Sequence, residues 1–348
     1  MVVTTAAAVT YYAGIGGSVT PFVVSGLALA LLASLVGRSV EALGTRLGAG
    51  ATGVVQSALG NLPELFVVLF ALKSKLYDVA TATIVGSILA NLLLVLGLSF
   101  LAGGLKNGPQ RFAKSSARTI TMLLVLSVAA LVVPALTAAL HTSAAGHERA
   151  LSIVVSILLL GIFVASLPAA LKRQEGGDPA QEGDSSQEEE APAEHEWPLS
   201  IAIAMLAITG VGAAFVSDWF VAGLTPAMDT LGISQAFAGL VIVAIAGNAV
   251  ENVVGIQLAY RNQADYALSV ILQSPLQIAL VVAPALVLLS PIVGASFTLV
   301  LSPLLIATLI LAVVVAVIVV LDGESNWLEG AALIVLYCII ATAFWWGD

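Results

Sequence analysis

Cysteine occurs once in this chain, at Cys338, and histidine three times, at His141, His147 and His195. A single cysteine excludes an intramolecular disulfide and a cysteine metal cluster. The histidines have no metal-ligand spacing. Charge is scarce as well: 9% of the residues, where soluble domains carry about a quarter. Neither Gly-x-Ser-x-Gly nor His-Glu-x-x-His occurs, so an intramembrane hydrolase has no nucleophile or zinc motif to rest on. No basic segment precedes the first apolar stretch, and a cleaved signal peptide is not expected. What the chain has in excess is apolar: 59% of 348 residues, which excludes an aqueous globular domain.

The net charge of −9 is local. Between Gln174 and Trp197 lie Glu175, Asp178, Glu182, Asp184, Glu188, Glu189, Glu190, Glu194 and Glu196. Elsewhere acidic and basic residues balance, so charge gives no sign of a nucleic-acid partner. With its Gly, Pro and Ser this segment reads as a solvated linker. The run Glu188-Glu189-Glu190 is ordinary solvated charge before it is a Ca²⁺ sensor.

A membrane-spanning helix needs about 20 mostly apolar residues. Ten runs qualify, near 20–43, 52–72, 78–103, 118–140, 148–171, 198–220, 234–259, 265–289, 294–321 and 326–346. They lack the strict alternation of barrel strands, so the expected fold is all-α, a polytopic membrane protein. Residues 2–17 are apolar but short and read equally as a thin eleventh span or an interfacial arm. The organisation follows: an N-terminal arm (1–19), five helices (20–171), the acidic linker (172–197) and five more helices (198–348). Trp345 and Trp346 suit an interface at the end of the last run.

Loop charges set the orientation. Arg38, Arg46, Lys106, Arg111, Lys114, Arg118, Lys172, Arg173 and Arg261 fall on one side, against Lys73, Lys75 and Arg149 on the other. The positive-inside bias puts the first group, and the linker, in the cytoplasm; the expected location is a prokaryotic plasma membrane.

Inside the second and seventh runs one pattern occurs twice: Gly60-Asn61-Leu62-Pro63-Glu64 and Gly247-Asn248-Ala249-Val250-Glu251. The same offset of 187 residues aligns Asp78 with Asp265 and Ser87 with Ser274. Five spans per half is an odd number, so the halves must be inverted across the membrane. A carboxylate at mid-membrane is costly and marks an ion or proton path. Pro63 and Gly60 are expected to break the second helix, leaving bare carbonyls beside Glu64. Carboxylates with backbone oxygen suit a hard cation such as Ca²⁺. Asn61 and Asn248 either add amide oxygens or hydrogen-bond the opened backbone across to the other half. Ser87 and Asn91 share a helical face, as do Ser274 and Gln277, with Gln273 close by and Pro275 expected to break the backbone. Ser and Asn also serve simply to join helices. Gly60, Asn61, Glu64, Ser87, Asn91, Gly247, Asn248, Glu251, Gln273, Ser274 and Gln277 therefore form the candidate cation site.

Two facing acids with no cation between them favour a proton, and a divalent cation displaces it. Such competition, exposed alternately to each face, is antiport. Of the other acids, Asp78 and Asp265 open helices and read as N-terminal caps. Asp218 reads as either a vestibule residue or a solvated helix end, and Arg38 with Glu41 as an interfacial ion pair.

These segments resemble the cation/proton exchanger (CAX) branch of the calcium/cation antiporter superfamily. GRSVEAL at 37–43, GNLPEL at 60–65, GSILANLLLVLGLSFLAGGLK at 86–106, GNAVE at 247–251 and the acidic linker are similar to that family's in order and spacing. The resemblance implies ten core helices in two inverted halves, usually after an extra helix. It also implies Ca²⁺ held between Glu64 and Glu251, and proton-driven export from the cytosol. Asn252 stands where the family often has His, so proton coupling would rest on the glutamates. Gln56 stands where an Asn is usual, and the N-terminal helix is shortened or absent. Na⁺- or K⁺-driven exchange is the nearest alternative. A passive channel is a distant one, because channel filters are usually built from symmetric subunits. No resident cofactor is expected, only Ca²⁺ and H⁺ as cargo and lipid as surroundings.

Overall fold

The computed structural model describes residues 2–47, 59–175 and 198–347. The front of the second apolar run, with Gln56, and nearly all of the acidic linker lie outside them. So do the side chains of Glu41 and Glu251.

The described chain is helical except for one two-residue strand pair. Its helices are α1 (Val2–Ala13), α2 (Val19–Leu47), α3 (Leu62–Lys73), α4 (Tyr77–Asn107), α5 (Lys114–Ala139) and α6 (Glu148–Glu175). After the linker come α7 (Leu199–Leu231), α8 (Gln235–Gly247), α9 (Ala249–Tyr260), α10 (Ala264–Val293), α11 (Pro303–Leu321) and α12 (Trp327–Ala343). Each of the ten apolar runs carries a helix, and α8 with α9 forms one span bent by 62°. Helix α1 resolves the open reading of the N-terminus. Its 12 residues rise about 18 Å, too little to cross a core of about 30 Å. It lies on α2 and α7 with Ala7 buried and Tyr11 stacked on Trp219.

The repeat is written in the backbone. Helices α3 and α9 are both 12 residues long and start 187 apart. The residues before them match in conformation: Asn61 has φ −94°, ψ 22°, and Asn248 φ −93°, ψ 19°. Beyond their far ends Lys75 and Asn262, again 187 apart, have φ of 62° and 63°. Helices α4 and α10 each contain a π-helical stretch, Ala90–Val95 and Ile278–Val282. Pro275 does not break α10, which runs through it into the π stretch. Since α4 has the same feature without a proline, the π stretch belongs to the repeat and not to Pro275.

Contacts between connections sort them onto two faces. On the first, β1 (Gln110–Arg111), after α4, pairs antiparallel with β2 (Glu324–Ser325), after α11. Asn107 and Gln110 donate to the Ala259 carbonyl near the end of α9. On the second face Lys73, ending α3, meets Asp218 at 3.5 Å, and Ser18 bonds Thr230 at 2.7 Å. Repeat mates α3 and α9 thus end on opposite faces, which is the inversion expected from an odd helix number.

Burial ranks the helices. The most apolar stretch of α4 is 83% buried and that of α10 56%, against 22% for α7 and 17% for α6. Helices α4 and α10 form the centre, and α6 and α7 face outward. Close crossing holds the centre: a Cβ on Gly86 would collide with the Leu240 carbonyl, and one on Gly239 would meet the Val79 carbonyl at 2.5 Å. Small residues at crossings are the usual means of packing helices where lipid offers no hydrophobic drive.

Asp78 and Asp265 stand in the first turns of α4 and α10, where an acid complements the helix dipole, but they are not the capping residues. The cap positions are Leu76 and Gln263, with no side-chain cap bond. Asp265 instead accepts the Ala113 N–H, at 2.6 Å, from the other half, while Asp78 lines a small polar recess with Ser296 and Thr298. Asp218 is neither a bare helix end nor a lone vestibule acid, since Lys73 faces it.

Candidate cation site

The two Gly-Asn breaks lie face to face across the interface between the halves. Leu59 is helical, Gly60 and Asn61 form a turn, and α3 starts at Leu62. Pro63 sits in the first turn of the new helix, where its missing N–H loses no bond. It starts α3 and does not break it. The second copy breaks at the same place without any proline, so Gly-Asn, not Pro, marks the break.

Glu64 is 4% exposed. It lies against the opposite break: a Cβ added to Gly247 would come within 3.0 Å of Glu64 Cγ and 3.3 Å of Oε1. A glycine at 247 is thus what lets a carboxylate of one half reach the broken backbone of the other. Glu251 occupies the same register of α9 that Glu64 occupies in α3.

Beside the two breaks the predicted amides and hydroxyls bond to one another, both within each half and across the halves. Asn248 Nδ2 donates to Ser87 Oγ at 2.9 Å and, also at 2.9 Å, to the Ala244 carbonyl, which accepts the Asn248 backbone N–H as well. Asn248 Oδ1 accepts from Asn91 Nδ2 (3.1 Å) and from Ser274 Oγ (3.2 Å). Asn91 Nδ2 also reaches the Ser87 carbonyl at 2.9 Å. On the other side Asn61 Nδ2 donates to Gln277 Oε1 at 2.9 Å. Of the two roles open to the asparagines, the Asn248 side chain makes the hydrogen bonds of a joint, tying the end of α8 to α4 and α10.

Asn91 Oδ1 is fully buried and has no hydrogen-bond partner among the described residues. A buried acceptor left so costs about 1–3 kcal/mol, and such atoms call for a bound water or ion. Asn252, one residue past Glu251, also holds a buried amide oxygen without a partner among the described residues. Its position one turn after Asn248 was the available signal. Gln273 is half-buried and outside this network; Gly60 is half-buried in the first break. No group of three or more His, Cys, Asp or Glu gathers among the described residues. The oxygens here come mainly from amides, hydroxyls and backbone beside one or two carboxylates. That mixture suits a hard, oxygen-seeking cation.

The sodium/calcium exchanger protein family matches residues 17–172 and 201–346. The chain is 36% identical over 324 residues to the Ca(2+)/H(+) antiporter ChaA of Bacillus subtilis, covering 93% of this chain and 91% of that one. It is 33% identical over 341 residues to the Ca(2+)/H(+) antiporter of Synechocystis, covering 94% and 91%. Among solved structures, native YfkE superposes with a TM-score of 0.81 at 32% identity, covering 99% of this chain and 98% of that one. The H+/Ca2+ exchanger CAX gives a TM-score of 0.76 at 16% identity, covering 98% and 89%, a likeness of fold.

Proposed function

Because the chain belongs to the sodium/calcium exchanger family, we propose that it is a secondary antiporter moving Ca²⁺ out of the cytosol in exchange for H⁺. The observation that carries this reading is Glu64, buried in one half and seated against the Gly247–Asn248 break of the inverted other half. Relatives at this identity bear the name Ca(2+)/H(+) antiporter over nearly the whole chain, which supports the choice of both ions.

Glu64 and Glu251 are the exchanging groups. With Ca²⁺ absent, protons neutralise the two carboxylates; Ca²⁺ displaces them and takes further oxygen from Asn91 and the broken backbone. Asn61, Ser87, Asn248, Ser274 and Gln277 hold the two breaks in register. One cargo excludes the other, so exposing the site first to one face and then to the other couples their flows without a covalent step. The protein is a carrier and not an enzyme, and Ca²⁺ is its substrate. The excess of Lys and Arg on the first face supports a cytoplasmic position for that face and the acidic linker, and the bacterial relatives support a prokaryotic plasma membrane.

The test uses everted vesicles in which gradients of H⁺, Na⁺ and K⁺ are imposed separately. Ca²⁺ uptake is expected to follow the pH gradient alone and to vanish in Glu64→Gln and in Glu251→Gln. Uptake that requires Na⁺ or K⁺ and ignores pH overturns proton coupling. Full transport in either variant overturns the site.

A further inference from the structure

Beginning beside the first break and running outward from it, α3 and α7 part to form a cleft of about 540 Å³. Leu62, Phe66 and Phe70 line one wall, and Gly210, Ala214 and Phe215 line the other. The walls are almost wholly carbon, and the cleft opens sideways: Val211 and Phe215 on its rim are 58% and 59% exposed. At the second face Lys73 and Asp218 close it, 3.5 Å apart with both side chains about half exposed. Lys73 Nζ also stands 5.1 Å over the Phe70 ring.

Three measures agree on one kind of occupant. Leu62 to Lys73 covers about 16 Å of helix, and half of a hydrocarbon core is about 15 Å. The cleft is therefore one leaflet deep. Its side opening faces the bilayer, since α7 is the least buried of the long helices after α6. Its mouth presents one cation and one anion together, which complements a headgroup carrying both a phosphate and an ammonium. A mainly apolar cleft whose charged groups are confined to one ion pair offers little to a hydrated Ca²⁺.

We propose that this cleft binds one acyl chain of a zwitterionic phospholipid, with its phosphate at Lys73, its ammonium at Asp218 and its methyl end near Leu62. The bound chain fills the seam between a helix of the first half and one of the second. It ends one residue from Asn61, at the first break.

The proposal is tested on the whole protein in vesicles of phosphatidylethanolamine and phosphatidylcholine. The probe is phosphatidylethanolamine with a photoactivated diazirine near the end of one acyl chain, and adducts are mapped by peptide mass spectrometry. Adducts are expected on Leu62 and Phe66 in excess of those on Ile310 and Val314, which are exposed on α11 and report ordinary bilayer contact. Ala214→Trp should remove the cleft adducts and keep those on α11. Gly210→Leu, whose side chain enters open space, fills the same cleft more gently and serves if the first variant does not fold. Lys73→Ala with Asp218→Ala should reduce adducts from this probe but not from a fatty acid carrying the same diazirine. Equal labelling of cleft and α11, or cleft adducts that survive both filling variants, overturns the proposal. Peptides cross-linked between two copies through α7, in place of lipid adducts, would assign the cleft to a protein interface and also overturn it.

Discussion

Gly247 and Glu64 act as one unit. The carboxylate reaches the opposite half only because position 247 has no side chain, and an added methyl lands 3.0 Å from Glu64 Cγ. Gly247→Ala is expected to fold, with overpacking of about 1–3 kcal/mol, and to raise the Ca²⁺ KM roughly tenfold, equivalent to about 1.4 kcal/mol. Vesicle transport against Ca²⁺ concentration checks this; an unchanged KM would refute the contact. Asn91 carries the joint. Asn91→Leu keeps the branching of the side chain, with somewhat more bulk, but takes away the hydrogen bond to Asn248 Oδ1 and the bond to the Ser87 carbonyl. Lost bonds of this buried kind cost about 1–3 kcal/mol, and the denaturation midpoint in detergent should fall accordingly. Arg111→Ala is the control. Its partner Glu324 lies at 3.0 Å, but the two side chains are 84% and 52% exposed, and exposed pairs contribute about 0–1 kcal/mol. The midpoint should hardly move.

Among the helices, crossings matter more than lengths. Helix α4 meets α8 backbone to backbone at Gly86 and Gly239, and neither neighbour is a flexible side chain that could yield. Gly239→Ala should therefore destabilise by about 1–3 kcal/mol or more, seen as lost folded protein on size exclusion, whereas a helical glycine facing open space, such as Gly161, should accept Ala. The sequence made the helices, their number and the doubled Gly-Asn-x-x-Glu legible, because hydropathy and repeated residues are local signals. It located the first break but credited Pro63 along with Gly60, and it expected a break at Pro275 that α10 does not have, since a proline shows that a backbone bond is missing but not whether one was needed there. Nor did it show which polar groups meet. Asn91 finds Asn248 at a separation of 157 residues, and Asn61 finds Gln277 at 216. The bond from Ala113 to Asp265 likewise depends on how the halves dock, and no pattern within either half encodes it.

The two halves together make a molecule with matched and opposed ends, and that can be read from outside. Ser74 and Arg261 are repeat mates, both exposed at helix ends on opposite faces. In a Cys338→Ser background, Ser74→Cys and Arg261→Cys should react with a membrane-impermeant thiol reagent from opposite sides; reaction from the same side would rule out inversion. The fit between halves is nonetheless imperfect at the polar joint. Asn91 aligns with Ile278 and Gln277 with Ala90 under the 187-residue offset, so each half braces the other's break with a different side chain. Were the halves identical, turning the site from one face to the other would merely exchange their roles, and the two orientations would be equally populated. Any resting preference must therefore arise where the copies differ. The mismatched amides at 91 and 277, placed beside the cargo, are where such a bias would have most effect on which side the empty carrier waits.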